Sequence, residues 1–169
     1  HDFLRGSNWQ DQNDSIIWTS SDLFEVDYGG STGYAAIGIN DSNVIGNSLW
    51  IGKAGNADGE VQVVGGSSNF YGDLQIGGAA SSDTAAYGKL IASDGALEVG
   101  AHTRCGYYGV GDIQVSGGSM DLGDVSIGYN DSGDGSFSLS GSGTVNVSEY
   151  MTIGTSGVGS LHVSGGFLN

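Results

Sequence analysis

Leu49-Trp50-Ile51-Gly52 is the first clear copy of a tetrapeptide that decides the fold of this 169-residue chain. The pattern reads aliphatic, any residue, Ile or Val, then Gly. The glycines of its five copies are 25, 23, 28 and 26 residues apart, and a period of this size is typical of solenoids and other repeat arrays. The later copies are Leu74-Gln75-Ile76-Gly77, Leu97-Glu98-Val99-Gly100, Val125-Ser126-Ile127-Gly128 and Met151-Thr152-Ile153-Gly154.

A second motif lies between successive copies of the first. It consists of two aliphatic residues at alternate positions, followed by a Gly or Ser pair, and it occupies 61–66, 113–118, 137–142 and 161–166, with a degenerate copy at 90–95. Most periods also hold a third short apolar stretch, such as Val145-Asn146-Val147. The period that contains residues 90–100 is too short for a third stretch, so we predict none there.

Alternating apolar residues predict short strands whose first and third residues share one face. Such strands form no stable sheet alone, but stacking on the next copy, about 4.8 Å away, builds a long parallel sheet. Three strands and three turns per period predict an all-β fold, a right-handed parallel β-helix (β-solenoid) of triangular section with about 25 residues per coil. A propeller blade, at about 40 residues, is too long for this period. The predicted inward ladders are Leu49/Leu74/Leu97/Val125/Met151 and Ile51/Ile76/Val99/Ile127/Ile153.

The glycine that closes each tetrapeptide is predicted to turn the corner of the coil, because glycine adopts positive φ at no steric cost. The predicted corner glycines are Gly52, Gly77, Gly100, Gly128 and Gly154.

The chain divides into two parts. Residues 1–46 are predicted to be an N-terminal capping segment with an irregular first coil, because bulky residues such as Trp9 and Trp18 suit a cover over the end of a solenoid. Residues 47–169 hold the regular repeats, and the chain ends within a repeat. His1 is interpreted as the start of a processed or tagged chain, a reading favoured over a copper-binding histidine.

The composition excludes several classes of function. The chain has 19 acidic and only 4 basic residues, for a net charge of −15, which argues against nucleic acid and anionic membrane surfaces. No apolar run is long enough to predict a membrane span. The single cysteine, Cys105, excludes an intramolecular disulfide, and we expect it to be solvent-exposed or packed in a turn.

One repeat resembles a known family. The segment Ile153-Gly154-Thr155-Ser156-Gly157-Val158-Gly159-Ser160-Leu161-His162-Val163-Ser164-Gly165-Gly166 is similar to the repeat shared by autotransporter (type V secretion) passengers and PEP-CTERM exported bacterial proteins. The resemblance covers about 48–169. It implies secretion to the cell surface or beyond and a β-helical stalk or surface protein. It implies no common catalytic residues, so no residue roles are carried over.

Segments of unequal length follow the predicted corner glycines and are expected to project from one edge of the solenoid. Variable segments on one face often form a binding surface, although surface drift alone also produces them. The segment 101–109 holds the greatest variety of polar and reactive side chains. The tyrosines are candidate sugar contacts because aromatic faces suit sugar rings, and packing at the corner is the alternative for them. The candidate binding residues are Tyr87, His102, Arg104, Tyr107, Tyr108 and Tyr129.

Calcium is the one candidate cofactor. Asn130-Asp131-Ser132-Gly133-Asp134-Gly135 resembles the start of a calcium loop, but the Glu expected at position twelve falls on Gly141, so an EF-hand is excluded. A simpler site using Asp131 and Asp134 is the candidate, with an Asx-turn as the favoured alternative.

Catalytic residues are harder to assign. Asp73 and Asp124 each precede a tetrapeptide by one residue, and an intervening coil would separate them. His102 and Cys105 supply two metal ligands, which make no zinc site without a second pair. We therefore predict that the protein is not an enzyme.

These observations predict a secreted structural or adhesive β-solenoid, such as a stalk, surface-layer element or fibre subunit. Its expected partners are other copies of the chain, stacked end to end or laterally, and surface polysaccharide. The alternatives are a polysaccharide-active β-helix enzyme of lyase or hydrolase type and a carbohydrate-binding module.

Overall fold

The computed structural model describes residues 23–26, 35–39 and 43–169, with side chains from residue 44 onward. These residues form an all-β structure without helices. The described chain accordingly offers no helix long and apolar enough to cross a membrane. Its strands are β1 (Leu23–Val26), β2 (Ala35–Ile39), β3 (Asn43–Gly46), β4 (Ser48–Ile51), β5 (Asp58–Phe70), β6 (Leu74–Ile76), β7 (Tyr87–Cys105), β8 (Val110–Val115), β9 (Ser119–Ile127), β10 (Asp134–Leu139), β11 (Thr144–Val147), β12 (Met151–Ile153), β13 (Val158–Val163) and β14 (Phe167–Leu168).

All strand pairings are parallel and join one coil to the next, so the predicted β-solenoid is confirmed. The coils hold about 24 residues each and number about five. The first face contains β1, β4, β6, the ends of β7 and β9, and β12. The second contains β2, the starts of β5 and β7, β8, β10 and β13. The third contains β3, the end of β5, the middle of β7, the start of β9, β11 and β14.

A continuous column of apolar side chains fills the centre of the coils. The inward residues of all three faces between Leu49 and Val145 are at most 3% exposed. This burial explains why such short strands are stable, since the strands of the middle coils are paired on both sides and packed underneath. The capping role predicted for Trp9 and Trp18 concerns residues that lie outside the described part of the chain.

The inward ladders of the first face differ from the prediction in one coil. Thr103 and Cys105 occupy the rungs that were assigned to Leu97 and Val99, so that assignment is wrong. The observed ladders are Leu49/Leu74/Thr103/Val125/Met151 and Ile51/Ile76/Cys105/Ile127/Ile153.

Leu97 and Val99 belong to the third face, where they pair with Met120 and Leu122. They are the third apolar stretch of their coil, and the prediction that this coil lacks one is wrong. The physical reason is that all three faces share the same alternation of inward and outward residues. A sequence match therefore identifies a strand without identifying the face to which it belongs.

The corner after the first face requires glycine. Gly106 stands at this corner in the coil of Cys105, with φ of 69°, and the assignment of Gly100 as a corner glycine is wrong because it follows a strand of the third face. A Cβ on Gly106 would lie 2.4 Å from the backbone carbonyl carbon of Asp134. The same corner in the other coils holds Gly52, Gly77, Gly128 and Gly154, all with positive φ.

Candidate functional site

The outward side chains of the first face form two adjacent rows that run across the coils. Strand alternation places one row a single residue before the first inward ladder and the other between the two ladders. The first row is Ser48, Asp73, His102, Asp124 and Tyr150, and the second is Trp50, Gln75, Arg104, Ser126 and Thr152. We call Asp73, His102, Arg104, Asp124 and Tyr150, together with Tyr107, Tyr108 and Tyr129 of the adjoining corner, the polar strip.

His102 connects the acids of the two neighbouring coils. Its Nδ1 lies 3.1 Å from Oδ1 of Asp73, and its Nε2 lies 3.5 Å from Oδ2 of Asp124. The backbone N–H of His102 also donates to Oδ1 of Asp73 over 3.3 Å. Asp73 and Asp124 are separated by one coil, as expected, but the residue between them is a histidine that contacts both.

Arg104 is ion-paired with the same aspartate. Its Nη1 donates to Oδ2 of Asp73 over 2.8 Å, and Gln75 donates to that oxygen over 3.4 Å. Partial burial raises the pKa of Asp73, but the hydrogen bonds from Arg104 and His102 and the charge of Arg104 outweigh it, so the pKa lies below its usual value. Asp73 is therefore held as a carboxylate that orders two side chains of the next coil.

Two tyrosine rings lie beside the guanidinium of Arg104, and a third tyrosine packs against one of them. The central carbon of the guanidinium lies 5.5 Å from the ring centroid of Tyr107 and 5.4 Å from that of Tyr129. The ring centroids of Tyr107 and Tyr129 are 5.5 Å apart, and Tyr108 meets Tyr107 edge-on at 4.8 Å. All three tyrosines are partly exposed, so aromatic surface reaches solvent beside the charged groups.

Five of the six candidate binding residues thus lie in the polar strip, and Tyr87 does not. Tyr87 begins the part of β7 on the second face, where it is paired with Val110. Partial burial, followed by the charges of Asp112, Glu60 and Asp58, raises the pKa of its phenol. Tyr87 therefore belongs to the second face and not to the corner that carries the other tyrosines.

His102 and Arg104 lie in β7, so the expectation that they belong to a projecting segment at 101–109 is wrong. The corner segment of this coil is short, at 107–109, whereas that of the preceding coil extends over 78–86. Asp83 stabilises the longer segment by accepting hydrogen bonds from the N–H groups of Ala79 and Ala80, and it joins the segment to the neighbouring coil through Gly55 N–H at 2.9 Å. The pKa of Asp83 is lowered, since these hydrogen bonds outweigh the effect of burial.

Asp73, Asp124 and Tyr150 were not predicted as site residues. Tyr150 is exposed, and a hydrogen bond between its phenol and Asp124 raises the pKa of the phenol. One signal was present in the sequence, because Asp73, Asp124 and Tyr150 all stand one residue before an inward ladder. The signal was lost because His102 was not recognised as the fourth member of that row.

Cys105 is fully buried, so the expectation that it is exposed or packed in a turn is wrong. Its side chain is a rung of the inner ladder, and its Sγ lies 3.2 Å from the carbonyl oxygen of Ser136. Burial raises the pKa of the thiol far above its usual value. Cys105 is therefore a packing residue and not a nucleophile.

The residues considered for calcium lie at an exposed turn. Asp131 is in the turn before β10 and Asp134 is the first residue of that strand. Within the described part of the chain no three His, Cys, Asp or Glu side chains are arranged to hold a metal ion. The two carboxylates supply fewer oxygens than calcium takes, and calcium binding there stays a prediction.

The chemistry of the polar strip is that of a surface with hydrogen-bond acceptors, an ion-paired guanidinium and aromatic rings. No protein-family model matches the sequence, and no curated protein or solved structure is significantly similar to it. The resemblance to autotransporter and PEP-CTERM repeats therefore stays a prediction that is supported only by the residues that carry it.

Proposed function

We propose that this chain is a secreted structural β-solenoid of the adhesive kind, whose polar strip contacts surface polysaccharide. One observation carries the proposal. Residues from successive coils lie in line over a packed core: His102 is hydrogen-bonded to Asp73, and its other ring nitrogen lies 3.5 Å from Asp124. A rigid rod with a side-chain array at coil spacing is suited to bind an extended polymer.

The chemistry of the strip supports a sugar ligand. Partly exposed tyrosine rings offer apolar faces on which sugar rings stack, and carboxylates accept hydrogen bonds from sugar hydroxyl groups. The charged side chains are already ordered by one another, so binding costs little additional side-chain entropy. His102, Arg104 and Asp124 lie in strands, and Asp73 and Tyr150 directly precede strands, which hold such side chains more rigidly than loops do.

Binding by the intact chain is tested by sedimentation with insoluble polysaccharides. We expect the protein to sediment with at least one of cellulose, chitin or mannan, and the variant with Tyr107→Ala and Tyr129→Ala to stay in solution. The matched control is Tyr71→Ala, which removes an exposed tyrosine outside the strip. Equal sedimentation of the double variant and the wild type would contradict the proposal.

Secretion is part of the proposal and rests on the family resemblance. It is tested by fractionating cells of the organism that makes the protein and detecting the chain with an antibody. We expect the chain in the culture medium or on the cell surface. Its recovery only from the cytosol would contradict this part of the proposal.

A polysaccharide-active enzyme is the second candidate function. It is favoured by the carboxylates on both ring nitrogens of His102, with Arg104 beside them, because paired carboxylates and a histidine are groups that perform acid–base catalysis. The test is the release of reducing ends or unsaturated products from polysaccharides. Activity lost in His102→Gln and kept in the control His162→Gln would establish the enzyme, and no activity in the wild type would exclude it for the polymers used.

Self-association, end to end or lateral, is a separate proposal that follows from the exposed backbone of strand edges. Sedimentation velocity over a range of concentrations and imaging of the native assembly test it directly. We expect species larger than one chain, and a single monomeric species at all concentrations would contradict it.

A further inference from the structure

We infer that the polar strip takes a neutral polysaccharide chain that lies along the axis of the solenoid, and this inference rests on the proposed function. Two features of the strip carry it. The guanidinium of the strip is matched by a carboxylate, and the groups that can contact sugar recur once per coil.

The charge argument begins with Arg104. Its guanidinium is ion-paired with Asp73 at 2.8 Å and has two tyrosine rings beside it, and His102 faces a carboxylate on each side. An anionic sugar would have to displace the carboxylate of Asp73 to reach the guanidinium of Arg104. It would also approach a chain with a net charge of −15. A neutral sugar meets neither cost, and its hydroxyl groups can donate to Asp73.

The direction of the ligand follows from the spacing of the coils. Adjacent strands of a sheet lie about 4.8 Å apart, and sugar units of an extended polysaccharide repeat at a similar distance. Asp73, His102 and Tyr150 provide polar atoms in three coils, and Tyr129 provides a ring in the coil between His102 and Tyr150, where Asp124 is buried. A polysaccharide along the axis meets one such group per sugar, whereas one across the axis meets a single coil.

The ligand class is tested by native affinity electrophoresis of the full chain in gels that contain one polymer. The neutral probes are hydroxyethylcellulose and galactomannan, and the anionic probe is polygalacturonate. We expect at least one neutral probe to retard the wild type, with little effect of salt, and polygalacturonate to have no effect. Loss of one ring in Tyr107→Ala or Tyr129→Ala should weaken binding roughly tenfold, with Tyr71→Ala unchanged.

The outcomes separate the inference from the proposed function. Retardation by polygalacturonate alone, abolished by salt, would overturn the neutral ligand and leave an adhesive solenoid standing. No retardation by any of the probes, together with no sedimentation on insoluble polysaccharide, would overturn both. Thermal unfolding of each variant establishes that a loss of binding is not a loss of fold.

The direction of the ligand is tested by titration with neutral oligosaccharides of increasing length, derived from the polymer that binds. We expect the affinity to rise until the ligand has about four sugars, one for each coil of the strip at 4.8 Å spacing. An affinity that reaches its maximum with a disaccharide would overturn the arrangement along the axis.

Discussion

The guanidinium of Arg104 donates a hydrogen bond of 2.8 Å to the carboxylate of Asp73, which lies 31 residues earlier and one coil away. The other oxygen of that carboxylate contacts the ring and the backbone N–H of His102. One acid thus orders the two side chains of the next coil that dominate the polar strip. The site and the stacking of the coils are stabilised by the same contacts.

Asp73→Asn should therefore destabilise the protein in a pH-dependent way. The pKa of Asp73 is lower in the folded chain, so its stabilising effect is present above the unfolded pKa of about 3.9 and is lost as the pH falls through the folded value. We expect a loss of about 1 kcal/mol in the free energy of unfolding at pH 7, measured by urea denaturation, and a smaller loss at pH 3. The control is Asp131→Asn in an exposed turn. An equal effect at both pH values would contradict the prediction.

Thr103→Val should stabilise the protein. The hydroxyl of Thr103 is buried in the inward ladder between Leu74 and Val125 and has no hydrogen-bond partner. Replacing it by a methyl group of similar volume removes an unsatisfied polar group, worth about 1 kcal/mol in the free energy of unfolding. The reverse change in the next coil, Val125→Thr, should cost about 1 to 3 kcal/mol. A lower melting temperature for Thr103→Val would show that its hydroxyl is satisfied.

Gly106→Ala should be far more harmful than Gly55→Ala. Both glycines have positive φ, near 60° to 70°, so alanine at either position has a strained backbone that costs about 1 to 2 kcal/mol. A Cβ at Gly106 would also lie 2.4 Å from the backbone of Asp134, whereas a Cβ at Gly55 would meet no atom within 4 Å. We expect Gly55→Ala to fold with reduced stability and Gly106→Ala to fold poorly, as measured by circular dichroism and soluble yield.

Cys105 should be unreactive in the folded protein. Its thiol is fully buried and its pKa is raised by burial, so little thiolate forms and reagents have no access to it. We expect a thiol-specific reagent such as dithionitrobenzoate to react only when denaturant is added, and the rate to follow the rate of unfolding. Rapid labelling of the native chain would contradict the placement of Cys105 in the core.

The two ladders of the first face show how far the sequence alone could go. Leu49, Leu74, Val125 and Met151 were assigned to the first ladder from their alternation and the glycine that follows, and the structure places them there. The prediction failed for one coil because its inward residues on this face, Thr103 and Cys105, carry a hydroxyl and a thiol and do not match an aliphatic pattern. The nearest aliphatic match, Leu97 to Val99, was taken in its place.

The polar strip was only half recognisable for the same reason. The tyrosines and Arg104 were chosen for their chemistry, which is a local property of the sequence. Asp73 and Asp124 lie one coil apart, as expected, but the residue that connects them was missed because the coil between them had been assigned to the wrong residues. His102 lies in the coil between the two aspartates, and Asp73, His102 and Asp124 form one line of contacts.

What the sequence determined by itself is the solenoid, with its period, its alternating inward residues and most of its corner glycines. Burial of alternate residues is a requirement of a single strand, and positive φ is a requirement of a single turn. Both are therefore visible in the sequence of each copy of the motif. Only the tertiary structure decided which copies stack. The stacking depends on the length of segments such as 78–86. It also depends on irregularities such as the shift in the β7–β9 register that falls between Val99 and His102 of β7. Those features bring Asp73 to His102 across 29 residues, and the site exists only through that register.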